Sequence, residues 1–296
     1  MRPAKKKPRV PREHIRPSGS SDGTSRCVPW EEMLVAQSSD SITLLVDGAV
    51  ATIKLNRPSV LNAIDAEAAR AFLSILRTIA ERSDIRVIVL RGEGRAFCAG
   101  GDVARFGGSD PEAAIDDIIS PLHEALRLLN DLPQPSIAIV HGAAAGAGFS
   151  LMLACDFALA TDTARFTLAY ARLGVSPDGS ATYHLPRIVG LRKAKELALL
   201  AETIDAAEAL RLGLVNWVVP EAELDGACAN LAARLASGPT AAYHRIRELL
   251  TSSFDKDLEE QLEAERQTFK ALSRTQDFRE GVSAFLGKIP ARFKGY

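Results

Sequence analysis

Two glycine-rich turns are the segments of this sequence whose residue types are best suited to chemistry. The first turn spans residues 95–102 (RAFCAGGD), and the second spans residues 141–148 (HGAAAGAG) and runs into the helical pattern of residues 149–153. Small residues let a ligand approach the main chain, and the start of a helix leaves N–H groups free to point at it. Two such turns brought together could aim two N–H donors at one oxygen, which is the arrangement of an oxyanion hole.

Other functions of a glycine-rich turn fit these residues less well. No Lys-Ser or Lys-Thr pair follows the second turn, as a nucleotide-phosphate loop would need, and Leu151 stands where a dinucleotide-binding turn has its third glycine. A single turn of this kind between a strand and a helix often serves close packing alone. The prediction of an oxyanion hole therefore depends on the presence of both turns.

Polar residues near these turns are further candidates. We interpret His141, which precedes the second turn, as a packed structural residue, and Asp156, at the start of a strand, as a structural hydrogen-bonding group. His184 lies close in sequence to Asp178 and Ser180, which allows a nucleophilic-triad hypothesis. Spacing this short rarely gives triad geometry, and the Gly-x-Ser-x-Gly elbow is absent, so we do not favour a triad.

The elements that would position the turns alternate between strands and helices. A hairpin is predicted from residues 42–46 and 50–55, joined by the turn dipeptide Asp47-Gly48. Asp65 is a suitable N-cap for a helix whose apolar residues recur at three-to-four spacing. A second helix is predicted at residues 112–130, and Asp205 to Glu208 is typical of a capping box. Further strands, the first three with apolar runs typical of burial on both faces, are predicted at residues 85–90, 136–140, 157–160 and 214–219.

This pattern indicates an α/β fold with crossover connections and a helical C-terminal third, broken near Gly238-Pro239 and Ser252-Ser253. A coil of stacked turns capped by helices and a doubly wound sheet both satisfy the pattern. Periodicity alone does not choose between them.

The composition excludes several classes of protein. The 296 residues carry a formal net charge of −1, which argues against a dedicated nucleic-acid binder, and no apolar run approaches the roughly 18 residues of a membrane span. The four cysteines are widely spaced without a CxxC pair, so we expect reduced thiols, no metal site and a cytoplasmic location. Residues 1–26 carry eight basic and two acidic residues and are predicted to be disordered; we assign them no function.

Several segments, in the right order along the chain, resemble the signatures of the crotonase (enoyl-CoA hydratase/isomerase) superfamily. Residues 56–63 (NRPSVLNA) are similar to its opening motif, and the two glycine-rich turns, about 45 residues apart, are similar to its two signature segments. Residues 185–190 (LPRIVG) and the closing Phe293-Lys294-Gly295 also resemble the family. The resemblance covers the chain from about residue 41 to the C-terminus.

The resemblance implies a fold of repeated ββα turns with a trailing helical region, assembled as a homotrimer or a dimer of trimers. It places the two oxyanion N–H groups on Gly101 and Ala147, where only the main-chain N–H matters. It also implies an acyl-CoA substrate, so that coenzyme A is part of the substrate and no separate cofactor is expected; Lys294 is a weaker candidate for the phosphates. The residues implied to hold coenzyme A are Ala63, Ala99, Gly101, Asp102, Val103, Ala104 and Lys288.

The choice of reaction depends on which side chain carries protons. Hydratases of this family place one glutamate just after the second turn and another some twenty residues later, and these positions hold Ser150 and Tyr170 here. Neither is an effective base near pH 7. Asp178, within LGVSPDGSATY, stands where the enoyl-CoA isomerases and the ring-opening isomerases of phenylacetate breakdown carry an acidic residue. Asp178 could instead only cap a turn, but one carboxylate is the right number for moving a proton between two carbons.

The sequence therefore predicts an enoyl-CoA double-bond isomerase with Asp178 as acid and base. A hydratase-like enzyme or an acyl-CoA hydrolase that uses Asp178 and a water is the alternative, and a non-catalytic paralogue acting as a binding scaffold is a further one. No nucleic-acid or membrane partner is expected. The predicted organisation is a basic extension at residues 1–40, a core at 41–235, and a helical trimerisation or lid region at 236–296.

Overall fold

The computed structural model describes residues 34–38 and 40–296, so the basic segment 1–26 and Cys27 lie outside the described residues. Strand β1, Leu34–Ser38, pairs antiparallel with the next strand and falls inside the range 1–40 that we assigned to the extension. This strand precedes Ser41, near which the ordered part of the chain was predicted to begin. The strand is held by the edge of its neighbour, and a local sequence pattern does not reveal such a partner.

Two sheets form the framework. The main sheet has the strand order β1-β2-β3-β4-β5-β7-β10, and the small sheet has the order β6-β8-β9. The strands β1, β2 and β3 pair antiparallel, and from β3 to β10 every pairing is parallel. The strands after β1 are β2 Ile42–Asp47, β3 Val50–Leu55, β4 Val87–Gly92, β5 Ser136–Val140, β6 Ala143–Ala145, β7 Phe157–Thr161, β8 Arg165–Thr167, β9 Ile204–Asp205 and β10 Trp217–Val219.

Helices follow the strands and make up the C-terminal third. The breaks predicted near residues 238–239 and 252–253 are confirmed, because helices end or begin at both places. The α-helices of the described chain are α1 Ala66–Ala80, α2 Pro111–Asp131, α3 Ala147–Ala154, α4 Ala181–Val189, α5 Leu191–Leu200, α6 Ala206–Leu212, α7 Leu224–Ala236, α8 Thr240–Ser252, α9 Leu258–Leu272 and α10 Gln276–Gly287.

Side-chain caps fix the starts of several of these helices. Asp65 and Asp110 each accept a hydrogen bond from the third residue of the helix that follows, which confirms the cap predicted at Asp65 and adds one at Asp110. Asp205 does the same for α6, but the Glu208 carboxylate binds Arg211 rather than returning to the Asp205 amide. The predicted capping box is therefore only half formed.

Three boundaries in the strands differ from the sequence prediction. Asp47 pairs with Val50, so Gly48-Ala49 is the two-residue turn, one position later than predicted, and Gly48 has the positive φ of 54° that favours glycine. β4 begins at Val87 rather than at residue 85, and β10 is limited to Trp217–Val219. Within the described ranges, β10 lies at the edge of the main sheet and pairs with β7 alone.

The parallel part of the main sheet is buried on both faces, as its continuous apolar strands predict. In β5, Ala138 and Val140 face the large core formed with α1, α2 and α3, whereas Ile137 and Ile139 face a second cluster formed with α7. The sheet is therefore a rigid layer, and its strand ends hold the following turns in place.

The small sheet shows that the chain winds as stacked turns rather than as a doubly wound sheet. β6 follows β5 directly and pairs with β8, which follows β7. Isolated bridges extend this second layer back along the chain, joining Cys98 to Ala144 and Ile64 to Gly101. Each turn thus contributes a long strand, a short second-layer segment and a helix, and the predicted fold of repeated ββα turns is confirmed.

Of the helices within the described ranges, none has both the length and the apolar character that a bilayer crossing requires. Cys98, Cys155 and Cys228 are free thiols. The cytoplasmic location stays a prediction.

Candidate active site

The second-layer segments bring the two glycine-rich turns into contact. The Cys98 N–H donates to the Ala143 carbonyl oxygen at 3.0 Å, and the Ala145 N–H donates to the Cys98 carbonyl oxygen at 2.9 Å. A side-chain carbon at Gly100 would lie 3.2 Å from the Ala145 carbonyl oxygen and 3.7 Å from the Ala147 nitrogen. The turns are thus separated by little more than one van der Waals contact, and their glycines allow this approach.

Two amide N–H groups stay unused where the turns meet. The Ile64 N–H binds the Gly100 carbonyl at 2.8 Å and the Asp102 N–H binds the Ile64 carbonyl at 2.8 Å, which clamps Gly101 from both sides. Ala147 is the first residue of α3, a position without an intrahelical acceptor. Among the described residues, no acceptor takes the N–H of Gly101 or that of Ala147. Both amides are therefore available to an oxygen of a ligand.

The start of α3 is in close contact with the first glycine-rich turn. A side-chain carbon at Gly148 would overlap the Cys98 carbonyl oxygen and come within 2.7 Å of the Cys98 β-carbon. Gly146 has a φ of 49°, in the region that favours glycine. These contacts explain why small residues surround Ala147, and they set the direction of the first helical N–H groups.

Asp178 lies in a hydrogen-bonded group with Ser150 and Tyr170, which stand at the positions where the resemblance implies the carboxylates of the hydratases. The Tyr170 hydroxyl donates to the Asp178 carboxylate. The Ser150 hydroxyl lies 3.1 Å from the Tyr170 hydroxyl and 3.0 Å from the Asp178 carbonyl oxygen. Ser150 is fully buried and Tyr170 is 8% exposed. Ser150 also stands in the first turn of α3, three residues after Ala147, so this group lies beside the start of that helix.

Burial controls the protonation of Tyr170. Loss of solvent raises the pKa of its phenol, and the negative charge of Asp178 and the hydrogen bond to it raise this pKa further. Tyr170 consequently stays a neutral donor at ordinary pH. Its phenol is therefore unsuited to removing a proton from a substrate near neutral pH.

A histidine that the sequence did not single out holds the Asp178 loop. The Gly179 N–H donates to the His123 Nε2 atom at 3.2 Å, so His123 of α2 presents an unprotonated nitrogen there. Gly179 has a φ of 58°, and a side-chain carbon there would lie 2.9 Å from the Ser150 β-carbon. Asp178 opens into a cleft of about 700 Å³ between α2 and the start of α4. No local pattern marks His123, because its partner is 56 residues away.

Arg57 joins the segments that the resemblance assigns to coenzyme A. Its guanidinium binds the Ala63 carbonyl at 2.5 Å, Asp65 at 3.0 Å and Asp102 at 3.2 Å. Ala63 and the 101–104 segment are thus neighbours, and Val103 and Ala104 are exposed at the start of a short 3₁₀ turn. Arg57 belongs to the opening motif, but its role as the connector was not predicted.

The remaining coenzyme A candidates are less well placed. The Ala99 N–H already donates to the Leu61 carbonyl at 2.9 Å. Lys288 is an exposed residue that ends α10, and the Lys294 N–H binds Asp277 at 2.6 Å. Within the described ranges, no hydrogen bond or ion pair brings Lys288 to Ala63 or to the 101–104 segment.

The other polar candidates are structural, as their positions indicate. His141 Nε2 bonds the Gly94 carbonyl at 2.8 Å. Asp156 accepts from the Ser136 N–H at 2.8 Å and forms an ion pair with Arg247 at 3.1 Å. The Ser180 hydroxyl donates to the neighbouring Gly179 carbonyl, and no side-chain hydrogen bond between Ser180 and His184 occurs in the described chain. The triad hypothesis therefore receives no support.

The repeated ββα turns and the paired free amides define the class of the protein as the crotonase superfamily. The sequence model of the enoyl-CoA hydratase/isomerase family matches residues 46–296, and the chain belongs to this family of enzymes.

Known relatives agree with this assignment but differ in their reactions. The chain is 38% identical to a Rhodobacter capsulatus protein named "Probable enoyl-CoA hydratase" over 260 residues, covering 87% of this chain and 99% of the relative. It is 36% identical to the 1,2-epoxyphenylacetyl-CoA isomerase of Escherichia coli over 254 residues, covering 84% and 97%. The crystal structure of an enoyl-CoA hydratase from Polaromonas superposes with a TM-score of 0.81 at 35% identity, covering 85% and 99%.

Proposed function

We propose that this enzyme is an enoyl-CoA isomerase that uses Asp178 as its only acid and base. The observation that carries the proposal is the group of Ser150, Tyr170 and Asp178, which contains one carboxylate. Hydration requires a base to activate a water and an acid to protonate carbon, whereas isomerisation needs one group that removes a proton and returns it elsewhere.

In the proposed reaction, the thioester oxygen binds between the N–H groups of Gly101 and Ala147. Asp178 removes a proton from the carbon next to the thioester, and the electrons of that C–H bond move onto the thioester oxygen as an enolate. The two N–H donors stabilise this charge, each by roughly 2.7–4 kcal/mol. The protonated Asp178 then delivers the proton to the carbon two positions further along, and the double bond moves into conjugation.

The acyl-CoA substrate is part of the proposal, and no further cofactor enters it. Ala63, Ala99 and the segment Gly101, Asp102, Val103 and Ala104 are proposed to line the coenzyme A path. The Arg57 contacts support this path, since they place Ala63 beside Asp102. Lys288 would need to meet the phosphates of a coenzyme A bound elsewhere in the assembly.

A homotrimer or a dimer of trimers is proposed as the assembly. The support is a set of large apolar side chains exposed on the C-terminal helices, including Leu258 at 75%, Phe269 at 68% and Phe285 at 84%. Exposed apolar patches of this kind mark interaction surfaces. Light scattering measures the assembly directly, and a monomer would contradict it.

The reaction is tested with a panel of 3-enoyl, 2-enoyl and ring-epoxide CoA thioesters, followed by absorbance and mass. Isomerisation of a 3-enoyl-CoA creates the conjugated absorbance without a change in mass. Rapid loss of the conjugated absorbance of 2-enoyl-CoA, with the mass of one water added, would instead identify a hydratase. Release of free coenzyme A would identify a hydrolase.

A further inference from the structure

We infer that Tyr170 is a positioning residue that fixes which oxygen of Asp178 carries the proton, and this inference rests on the proposed isomerase function. The Tyr170 hydroxyl donates to the Oδ1 atom of Asp178. Oδ1 is thereby engaged by a donor, and Oδ2 is left as the oxygen that takes and returns the substrate proton.

The hydroxyl of Ser150 holds the Tyr170 hydroxyl in place. Ser150 lies 3.1 Å from the Tyr170 hydroxyl, 3.0 Å from the Asp178 carbonyl and 3.3 Å from the Gly146 carbonyl. Ser150 thus connects the phenol, the main chain of Asp178 and the turn that precedes Ala147. Ser150 in this way fixes the position of the proton-carrying oxygen of Asp178 relative to the Ala147 N–H group, which is proposed to bind the thioester oxygen.

Tyr170 can hold the carboxylate oxygen because its phenol does not ionise near neutral pH. Burial and the adjoining negative charge raise the pKa of its phenol, so its hydroxyl remains a donor to the carboxylate. A hydrogen bond to an ionised carboxylate favours the charged form over the protonated form. The phenol of Tyr170 is therefore a lasting donor to the Oδ1 atom of Asp178.

Other charged and titratable groups face the same cleft. His123, Arg127 and Asp131 lie on α2, and Tyr183 and His184 lie on α4. Burial lowers the pKa of His184, so this ring is neutral near pH 7. None of these groups is hydrogen-bonded to the Tyr170 hydroxyl in the described chain, so removing that hydroxyl changes only its contacts with Asp178 and Ser150.

The test is Tyr170→Phe, assayed as kcat and KM with a 3-enoyl-CoA substrate. We expect kcat to fall about tenfold or more with KM nearly unchanged, because the carboxylate loses the hydrogen bond that orients it while the groups that bind the thioester remain. Tyr243→Phe removes a hydroxyl away from the cleft and should leave both constants unchanged. An unchanged kcat in Tyr170→Phe, beside an active wild type, would overturn the inference and leave the isomerase function intact.

Two further measurements test the inference if Tyr170→Phe does not fold or if the wild type shows no isomerase activity. If Tyr170→Phe does not fold, Ser150→Ala should lower kcat by a smaller factor with KM nearly unchanged, and an unchanged kcat would count against the inference. If the wild type isomerises no enoyl-CoA, the proposed function fails. The hydrogen bond between Tyr170 and Asp178 is then tested by proton NMR. We expect a downfield hydroxyl resonance in the wild type that is absent from both Tyr170→Phe and Asp178→Asn. Absence of that resonance in the wild type would contradict the inference.

Discussion

The two halves of the candidate site are built from different parts of the chain. The pair of amides at Gly101 and Ala147 consists of main chain, clamped by strand-like hydrogen bonds between neighbouring turns. The acid–base half consists of the side chains of Ser150, Tyr170 and Asp178. The amide half consists of main chain that the fold itself positions, so it does not depend on the side chains at these two residues. The side-chain half can change without changing the fold, so we expect it to decide which reaction follows.

The largest expected effect is on the side-chain half. Asp178→Asn keeps the shape of the residue but removes its ability to hold a proton, so kcat should fall by about 10²–10⁴-fold. Binding of acyl-CoA, measured by calorimetry, should be nearly unchanged because the two amides remain. Normal turnover with weakened binding would show that Asp178 binds substrate rather than moving protons.

Ala147→Pro removes one N–H group of the amide half and leaves the side chains of Ser150, Tyr170 and Asp178 unchanged. Ala147 is the first residue of α3, where proline is well tolerated, and proline removes the N–H. We expect kcat to fall by about 10²–10³-fold, the usual loss on removing one oxyanion donor, with thermal stability retained. Ala66→Pro makes the same substitution at the first residue of α1 and should retain activity. Equal activity of the two variants would exclude the Ala147 N–H from the reaction.

Gly148→Ala tests whether the amide half depends on close contact between the turns. The new carbon would overlap the Cys98 carbonyl oxygen, so the free energy of unfolding should fall by about 1–3 kcal/mol. At Gly101 the new carbon would meet only the Phe106 ring, at 3.7 Å, and φ is not positive. Gly101→Ala should therefore unfold at nearly the wild-type denaturant concentration. Similar losses in both variants would mean that the contact at Gly148 is not the cause.

The smallest expected effect concerns the alkaline stability of the side-chain half. Because the pKa of Tyr170 is raised in the folded protein, the folded state retains this proton longer than the unfolded chain does. The contribution of Tyr170 to stability is complete below about pH 10, the ordinary value for tyrosine, and is lost as pH rises above it. Wild type should lose stability more steeply than Tyr170→Phe above that pH. Parallel stability curves for the two proteins would show that the phenol is not buried beside a charge.

Much of the local structure was predictable from the sequence. Helix α1 starts after Asp65 as its capping position indicates, and β5 occupies the predicted residues because five consecutive apolar or small residues suit a strand buried on both faces. The hairpin turn was placed one residue early, since Asp-Gly and Gly-Ala both allow a tight turn and only the pairing of Asp47 with Val50 decides between them.

The sequence by itself determined the two glycine-rich turns, their family resemblance and the identity of the residues at the two hydratase positions. These features depend on residue type and spacing along the chain. Only the tertiary structure decided that Tyr170 donates to Asp178, that His123 holds the following amide, and that Arg57 joins Ala63 to Asp102. Those contacts form between segments of different turns of the fold, which meet when the turns stack. Their geometry follows from the stacking of the turns, which no local pattern of residues specifies.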